Sequence, residues 1–160
     1  MLMKEFRQFV IKPVLEEMAA RIGPSFKGPA AEELLLGIAV HESDGLLYAR
    51  QIKGPAIGPF QMEGATYRDL MNNYLAFKPA LRMAVQGFNS GYGAQAEEMA
   101  FNWYYATAVA RAQLYRFPEV LPAAGDLKRQ ASYWKKYWNT IQGSGTVEQY
   151  ISHWHEYVDS

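Results

Sequence analysis

A glutamate at the end of an apolar helical stripe is the clearest candidate for chemistry in the sequence. Leu35, Ile38, Ala39 and Glu42 follow one another at helical spacing, which places them on one face of a helix. If that face is buried, Glu42 loses hydration and its pKa rises, and a carboxylic acid that stays protonated near neutral pH can act as a general acid. On periodicity alone, a glutamate at a frayed helix end that points to water is the more common arrangement, and it stays an alternative here.

A segment rich in glycine and proline follows Glu42 within a short stretch of chain. It carries short apolar runs and closes on Phe60-Gln61-Met62. Segments of this kind bring backbone amides and a polar side chain close to a ligand. Gln61 is therefore the second candidate, and its proximity to Glu42 in the sequence strengthens the functional interpretation of both.

The order of these residues resembles a known family. Glu42-Ser43 followed by Gly-Pro-Ala-Ile-Gly-Pro-Phe-Gln-Met over 54–62 is similar to the family that holds lytic transglycosylases and goose-type lysozymes. Those enzymes carry Glu-Ser at a helix end and then a Gly-Leu-Met-Gln-Ile/Val element. The glycine and Gln61 match, whereas proline and phenylalanine replace the leucine and methionine.

Two later family elements have looser counterparts, so that the resemblance covers about 30–150. The Asn-Ile-x-x-Gly-x-x-Tyr-Leu element resembles the stretch that begins at Asn102. The Ala-Tyr-Asn-Ala-Gly element resembles Tyr137-Trp138-Asn139, which a glycine turn over 143–145 follows. A competing match contains Asn89, but Asn139 is preferred because this element should follow the Asn102 helix. The later part of the chain looks like phage-encoded members of the family.

The resemblance implies a lysozyme-like fold and cleavage of the β-1,4 bond between N-acetylmuramic acid and N-acetylglucosamine in peptidoglycan. Glu42 would protonate the leaving glycosidic oxygen. Ser43 and Gln61 would orient Glu42 or hydrogen-bond the sugar. Asn139, with Trp138 beside it, would line the cleft from the far side.

The resemblance leaves two reaction outcomes open. In lytic transglycosylases one glutamate acts as acid and then as base, and the muramic acid 6-hydroxyl attacks its own anomeric carbon. In goose-type lysozymes a second carboxylate positions a water molecule, and Glu63 stands at the matching position here. Carboxyl groups about 6.5–9.5 Å apart would leave room for that water, as in inverting glycosidases. Glu63 is therefore a second catalytic candidate, with Glu42 as the essential group.

Aromatic residues are the next candidates, with eleven Tyr, eight Phe and four Trp in the chain. Tyr and Trp can cover the apolar C–H faces of sugar rings. Most of these aromatics are expected in the core, and Tyr105, Tyr137 and Trp138 are predicted to contact substrate. Asp44 is expected in solvent. His153 and His155 lie two residues apart on different sides of a helix, so no metal site is expected there. No cofactor is expected either.

Helical periodicity dominates the sequence and predicts a mostly α single domain over 1–160. The segment 44–64 reads as an ordered loop or short hairpin beside the cleft. A kink or a restart of the first helix is expected at Pro13. The predicted helices are 6–22, 29–43, 66–74, 79–87, 94–116, 126–138 and 146–157.

Composition narrows the class of protein. Sixteen basic residues balance sixteen acidic ones, which argues against bulk electrostatic binding of nucleic acid or an anionic membrane. Cysteine is absent, which excludes disulfides and thiolate-bound zinc. No membrane-spanning segment and no signal peptide are recognisable, so synthesis in a host cytoplasm without a signal peptide is expected.

The expected partners are peptidoglycan glycan strands and, for a virion-borne protein, other phage virion proteins. The protein would act on the bacterial cell wall or be associated with the virion. The alternative from another class is a non-catalytic virion or assembly protein that keeps the fold and binds glycan.

Overall fold

Helices account for most of the chain, as the periodicity predicts. The structure is a computed structural model that describes residues 1–92, 95–140 and 142–160. Over these residues it contains one two-stranded sheet and short 3₁₀ and π-helical turns besides the α-helices. The α-helices are α1 (Met3–Phe6), α2 (Lys12–Arg21), α3 (Pro29–Glu42), α4 (Gly64–Asn73), α5 (Pro79–Gln86), α6 (Glu98–Phe101), α7 (Trp103–Arg116), α8 (Leu127–Tyr133) and α9 (Val147–Tyr157).

The first predicted helix passes Pro13 through a π-helical turn, Arg7–Ile11, which joins α1 to α2. The Lys12 N–H donates to the Arg7 carbonyl, five residues back. Proline has no N–H to donate and its ring crowds the carbonyl of the preceding turn. The wider π turn just before Pro13 therefore accommodates the proline within a continuous helical segment.

Helix α3 lies at the centre of the core and ends at the candidate acid. Its residues from Leu34 to Val40 are all buried. Helix α9 packs on it at Gly37, where an added Cβ would lie 1.9 Å from the Tyr150 hydroxyl oxygen. The side-chain-free surface of Gly37 thus sets how closely the two helices approach.

The predicted helix over 94–116 is wrong in one respect, because the described part of it breaks at Asn102 into α6 and α7. Asn102 has an extended backbone, and its Oδ1 accepts from the Tyr105 N–H as the N-cap of α7. Its Nδ2 donates to the Phe88 carbonyl and to Glu98 Oε1. The N-cap bond needs the non-helical backbone at this position, and the two Nδ2 bonds hold the same side chain in place. The predicted start at Ala94 lies outside the described residues.

The segment 44–64 ends in a short antiparallel hairpin. Of the two predicted alternatives, an ordered loop or a short hairpin, the second is therefore confirmed for the end of the segment. Strands β1 (Ala56–Ile57) and β2 (Met62–Glu63) pair Ala56 with Glu63 and Ile57 with Met62. Helix α4 starts directly after β2, with Glu63 at the N-cap position. The predicted start of this helix at 66 is two residues late, because Thr66 lies inside its first turn.

Two helix starts follow their capping residues. Asp126 Oδ1 accepts from the Arg129 N–H at the start of α8. Thr146 and Gln149 form a reciprocal capping box at the start of α9. A π-helical turn, Trp134–Asn139, extends α8. Within the described residues, no helix is long and apolar enough to cross a membrane.

Candidate active site

A groove crosses the C-terminal end of α3, and Glu42 lies in it. The groove consists of two adjoining depressions, of about 470 and 320 Å³, that share Glu42, Gln51, Gln61 and Glu63. The first depression is also lined by Met62, Thr66, Gln113, Tyr137, Trp138, Asn139, Thr140, Gly143 and Ser144. The second is also lined by Tyr48, Ile52 and Ala56. Because both depressions share Glu42, a chain-like ligand could extend past it in two directions.

Glu42 is the last residue of α3 and is partly buried, as the apolar stripe predicts. The indole Nε1–H of Trp134 donates to Glu42 Oε1 at 2.8 Å. Burial raises the pKa of Glu42 to about 7, and the bond from Trp134 opposes that rise. Near neutral pH a large fraction of Glu42 is therefore protonated, as a general acid requires.

The surroundings of Trp134 are aromatic and closely packed. Trp134 has no exposed surface, and His41 meets its ring edge-on with the ring centroids 4.4 Å apart. Tyr150 packs at a centroid distance of 5.3 Å. His41 Nδ1 lies 2.8 Å from His153 Nδ1, and burial, followed by the influence of His153, lowers the pKa of His41 to about 4. The histidine beside Glu42 is thus neutral near pH 7.

Ser43 and Asp44 do not lie where the sequence places them. Ser43 is fully buried, and its hydroxyl donates to the Ala39 carbonyl at 2.7 Å while accepting from the Leu46 N–H at 3.0 Å. It therefore ends α3, and its hydroxyl is bonded to the backbone, which contradicts both parts of the prediction, that it orients Glu42 or hydrogen-bonds the sugar. Asp44 is not left to solvent, because its Oδ1 accepts from the Tyr157 hydroxyl.

Gln61 lines both depressions from the hairpin turn. Its backbone is left-handed, with φ of 47°, and its Nε2 donates to the Gly58 carbonyl at 2.7 Å. This bond fixes the direction of the amide. Glu63, at the end of β2, is exposed and lines the same two depressions. The structure thus brings both predicted carboxylates into one groove.

Tyr137, Trp138 and Asn139 line the first depression, together with residues of the hairpin. Lys135 Nζ donates to Asn139 Oδ1 at 2.6 Å and to the Gly143 carbonyl at 2.8 Å. One ammonium group thereby ties the end of the π-helical turn to the glycine turn that follows it. The ring of Tyr137 stacks on Phe117 at 4.8 Å between centroids.

Tyr105 is the aromatic prediction that fails. Its side chain has no exposed surface, and its hydroxyl shares a 2.5 Å hydrogen bond with that of Tyr67. The first turn of α7 faces the core there, so Tyr105 cannot contact a ligand in the groove. Its role is in packing, as expected for most of the aromatics.

Trp134 and Gln113 are among the site residues that sequence reasoning missed. Trp134 is one of many aromatics in the chain, and the sequence around it does not indicate a hydrogen bond to a residue 92 positions away. Gln113 lies on α7, and its Oε1 is buried without a hydrogen-bond partner among the described residues. A buried acceptor in a groove is suited to a ligand that brings an N–H or O–H donor.

Comparison with protein-family models, with curated proteins and with solved structures finds no match. The resemblance to lytic transglycosylases and goose-type lysozymes therefore stays a prediction from the motifs, and the groove is interpreted from its own geometry.

Proposed function

We propose that this chain is a peptidoglycan-cleaving glycosidase with a lysozyme-like fold, and that Glu42 is its general acid. The observation that carries the proposal is the position of Glu42, at the end of a buried helix and in a groove, with its pKa raised to about 7. Cleavage of a glycosidic bond needs a proton on the leaving oxygen, and a carboxylic acid of this pKa can supply it.

The lining of the groove supports a glycan as the substrate. Neutral amides and hydroxyls are available from Gln51, Gln61, Thr66, Gln113, Asn139, Thr140 and Ser144. Such groups match the hydroxyl and acetamido groups of N-acetylated sugars. Tyr48, Tyr137 and Trp138 offer aromatic surface for the apolar ring faces.

The charge of the groove also favours a glycan over a nucleic acid. Lysine and arginine are absent from its described lining, whose charged members are Glu42 and Glu63. An acidic lining without Lys or Arg does not suit a phosphate backbone, which nucleic-acid-binding proteins neutralise with these two residues.

Glu63 leaves two routes after protonation. In the hydrolytic route, Glu63 positions a water molecule that attacks the anomeric carbon from the face opposite the leaving group. In the lytic route, Glu42, now ionised, accepts a proton from the muramic acid 6-hydroxyl as that oxygen closes onto its own anomeric carbon. Glu42 is essential in both routes, and Glu63 in the first alone.

Mass spectrometry of digested peptidoglycan tests the proposal with wild type, Glu42→Gln and Glu63→Gln. We expect wild type to release muropeptides and Glu42→Gln to release almost none. An anhydro end means the lytic route, and a reducing end that disappears in Glu63→Gln means the hydrolytic one. Glu16→Gln, on an exposed position of α2, is the matched control. Full activity of Glu42→Gln would contradict the assignment, and glycan binding by wild type without cleavage would favour a non-catalytic glycan-binding virion protein.

A further inference from the structure

We infer that Trp134 is the positioning residue of Glu42, which it holds in one orientation so that the acidic proton resides on Oε2. The inference about catalysis rests on the proposed function, whereas the hydrogen bond and its effect on Glu42 can be measured without any activity. Trp134 lies outside the described lining of the groove, so it acts through Glu42 and not on the substrate.

The indole group determines which oxygen of Glu42 carries the proton. An indole N–H can donate but has no lone pair with which to accept. Because Nε1 lies 2.8 Å from Oε1, Oε1 must be the acceptor in both protonation states of Glu42. When Glu42 is protonated, its hydroxyl oxygen is a much weaker acceptor than its carbonyl oxygen, so the indole bond favours the form with the carbonyl at Oε1 and the proton on Oε2. Delivery to a substrate then takes place from Oε2.

The direction of this N–H is fixed by packing on several sides. His41 from α3 and Tyr150 from α9 contact the ring, as described above. At Gly145 an added Cβ would lie 2.7 Å from the Trp134 Cη2 atom, so the glycine turn closes another side. A ring held in this way cannot rotate without disturbing two helices and a turn, and the carboxyl group bonded to it is held as well.

The charged and titratable groups around Glu42 come from three elements. His41, on α3, is neutral near pH 7 for the reasons given above. Asp44, after α3, is bonded to Tyr157. Burial, followed by the charge of Glu42, raises the pKa of the phenol of Tyr150, on α9. Glu63, after β2, shares the groove. Against this background the Trp134 bond favours the ionised form of Glu42 and limits how far burial raises its pKa.

Trp134→Phe removes the N–H donor while keeping an aromatic ring in the core. The pKa of Glu42, measured by ¹³C NMR of labelled glutamate carboxyl groups, should rise by about one pH unit, the size expected for a lost hydrogen bond to a charged group. The alkaline limb of the pH profile of peptidoglycan cleavage should move up by the same amount, and kcat should fall about tenfold with KM nearly unchanged, because orientation is lost. A role in packing alone would lower stability without moving the pH limb.

Trp103→Phe is the matched control. Trp103 packs edge-on against Phe6, with ring centroids 5.6 Å apart, and lies outside the described lining of the groove. It should leave both the pKa of Glu42 and the pH profile unchanged. An unchanged pKa of Glu42 in folded Trp134→Phe would overturn the inference.

A second measurement needs no substitution of Trp134. In ¹H–¹⁵N spectra of wild type, the indole cross-peak of Trp134 should shift with pH at a midpoint of about 7, and this titration should vanish in Glu42→Gln. An indole signal that does not titrate near that pH would overturn the inference even if Trp134→Phe fails to fold. If wild type cleaves no peptidoglycan while the indole titrates with Glu42, the proposed function fails and the positioning of Glu42 stands.

Discussion

The two carboxylates of the groove lie in opposite surroundings. Glu42 ends the 14-residue helix α3, is partly buried and receives a hydrogen bond from a fully buried indole. Glu63 is exposed, at the end of a two-residue strand. A group that must hold a proton benefits from burial, whereas one that must work on water needs access to it. Under the proposed function, this difference suits the α3 side to proton donation and the hairpin side to contact with water.

The backbone differs between the two sides as well. The residues of α3 from Leu34 to Val40 are helical and buried. Left-handed backbone at residues other than glycine is found in the described chain only at Asp44, Leu46, Lys53, Gln61 and Thr140. All five lie in the segments that follow Glu42, form the hairpin or follow Asn139. Such conformations cost about 1 kcal/mol or more each and persist where surrounding contacts hold them. The helix thus fixes Glu42, and segments with left-handed backbone shape other parts of the groove.

Gly37→Ala should have the largest effect, because it breaks the α3 side. The new Cβ would lie 1.9 Å from the Tyr150 hydroxyl oxygen, so α9 must move away from α3. We expect a loss of about 3 kcal/mol in the free energy of unfolding, measured by urea denaturation. At Gly87 the nearest atom to a new Cβ is 3.4 Å away, so Gly87→Ala is the control and should change stability by less than about 1 kcal/mol. Equal losses in both variants would contradict this packing of α9.

Gly58→Ala should break the hairpin side with a smaller loss. Gly58 has φ of 78°, and an added Cβ would lie 2.4 Å from the Met99 carbonyl oxygen. The hairpin must then leave α6, which displaces Gln61 and Glu63, and we expect about 2 kcal/mol of destabilisation together with weaker glycan binding.

Gly125→Ala separates backbone strain from the clash at Gly58. Gly125 has φ of 82° and nothing within 4 Å of a new Cβ, so its variant should lose only about 1 kcal/mol and keep the binding. Urea denaturation and calorimetry with soluble peptidoglycan fragments measure both quantities. If Gly125→Ala costs as much as Gly58→Ala, contact with α6 is not what places the hairpin.

The free energy of unfolding should depend on pH differently in wild type and in Glu42→Gln, because burial raises the pKa of Glu42. Folding raises the pKa of Glu42 from 4.5 to about 7, so the wild-type carboxyl stabilises the fold below about pH 4.5, and this contribution is lost as the pH rises through 7. The amide does not ionise. The variant should therefore gain stability relative to wild type as the pH rises from about 4 to about 8, by roughly 2 kcal/mol after allowance for partial exposure.

Glu16→Gln, on an exposed position, reports the general effect of removing one negative charge. A difference between wild type and Glu42→Gln that does not change with pH would contradict the raised pKa.

Much of the helical framework was predictable because its signals are local. Asp126 and Thr146 cap the helices that follow them, and Pro79 lies in the first turn of α5. The break at Asn102 was not predictable, since it depends on Phe88 and Glu98 as well as on the asparagine itself. Local sequence identifies Asn102 as a possible cap but also fits a continuous helix.

The candidate site divides in the same way. The stripe on α3 predicts the partial burial of Glu42 from residues within two turns of it. The bond from Trp134 joins residues 92 positions apart, so periodicity cannot reveal it. Tyr105 and Tyr137 are the same residue type on helical segments, yet one is buried against Tyr67 and the other lines the groove. Tertiary packing decides which aromatic contacts a ligand.

Gln113→Leu should have the smallest effect on stability. It tests whether a ligand in the groove donates a hydrogen bond to the Gln113 side chain. Gln113 Oε1 is buried without a described partner, and leaving such an acceptor unpaired costs free energy that an apolar side chain avoids. We expect the variant to be more stable by up to about 1 kcal/mol in thermal denaturation and to bind peptidoglycan fragments about fivefold more weakly by calorimetry. Gln8→Leu, at an exposed position, is the control and should change neither. Higher stability with unchanged binding would mean that the ligand brings no donor to this acceptor. The glycan would then have to bind in the groove away from Gln113.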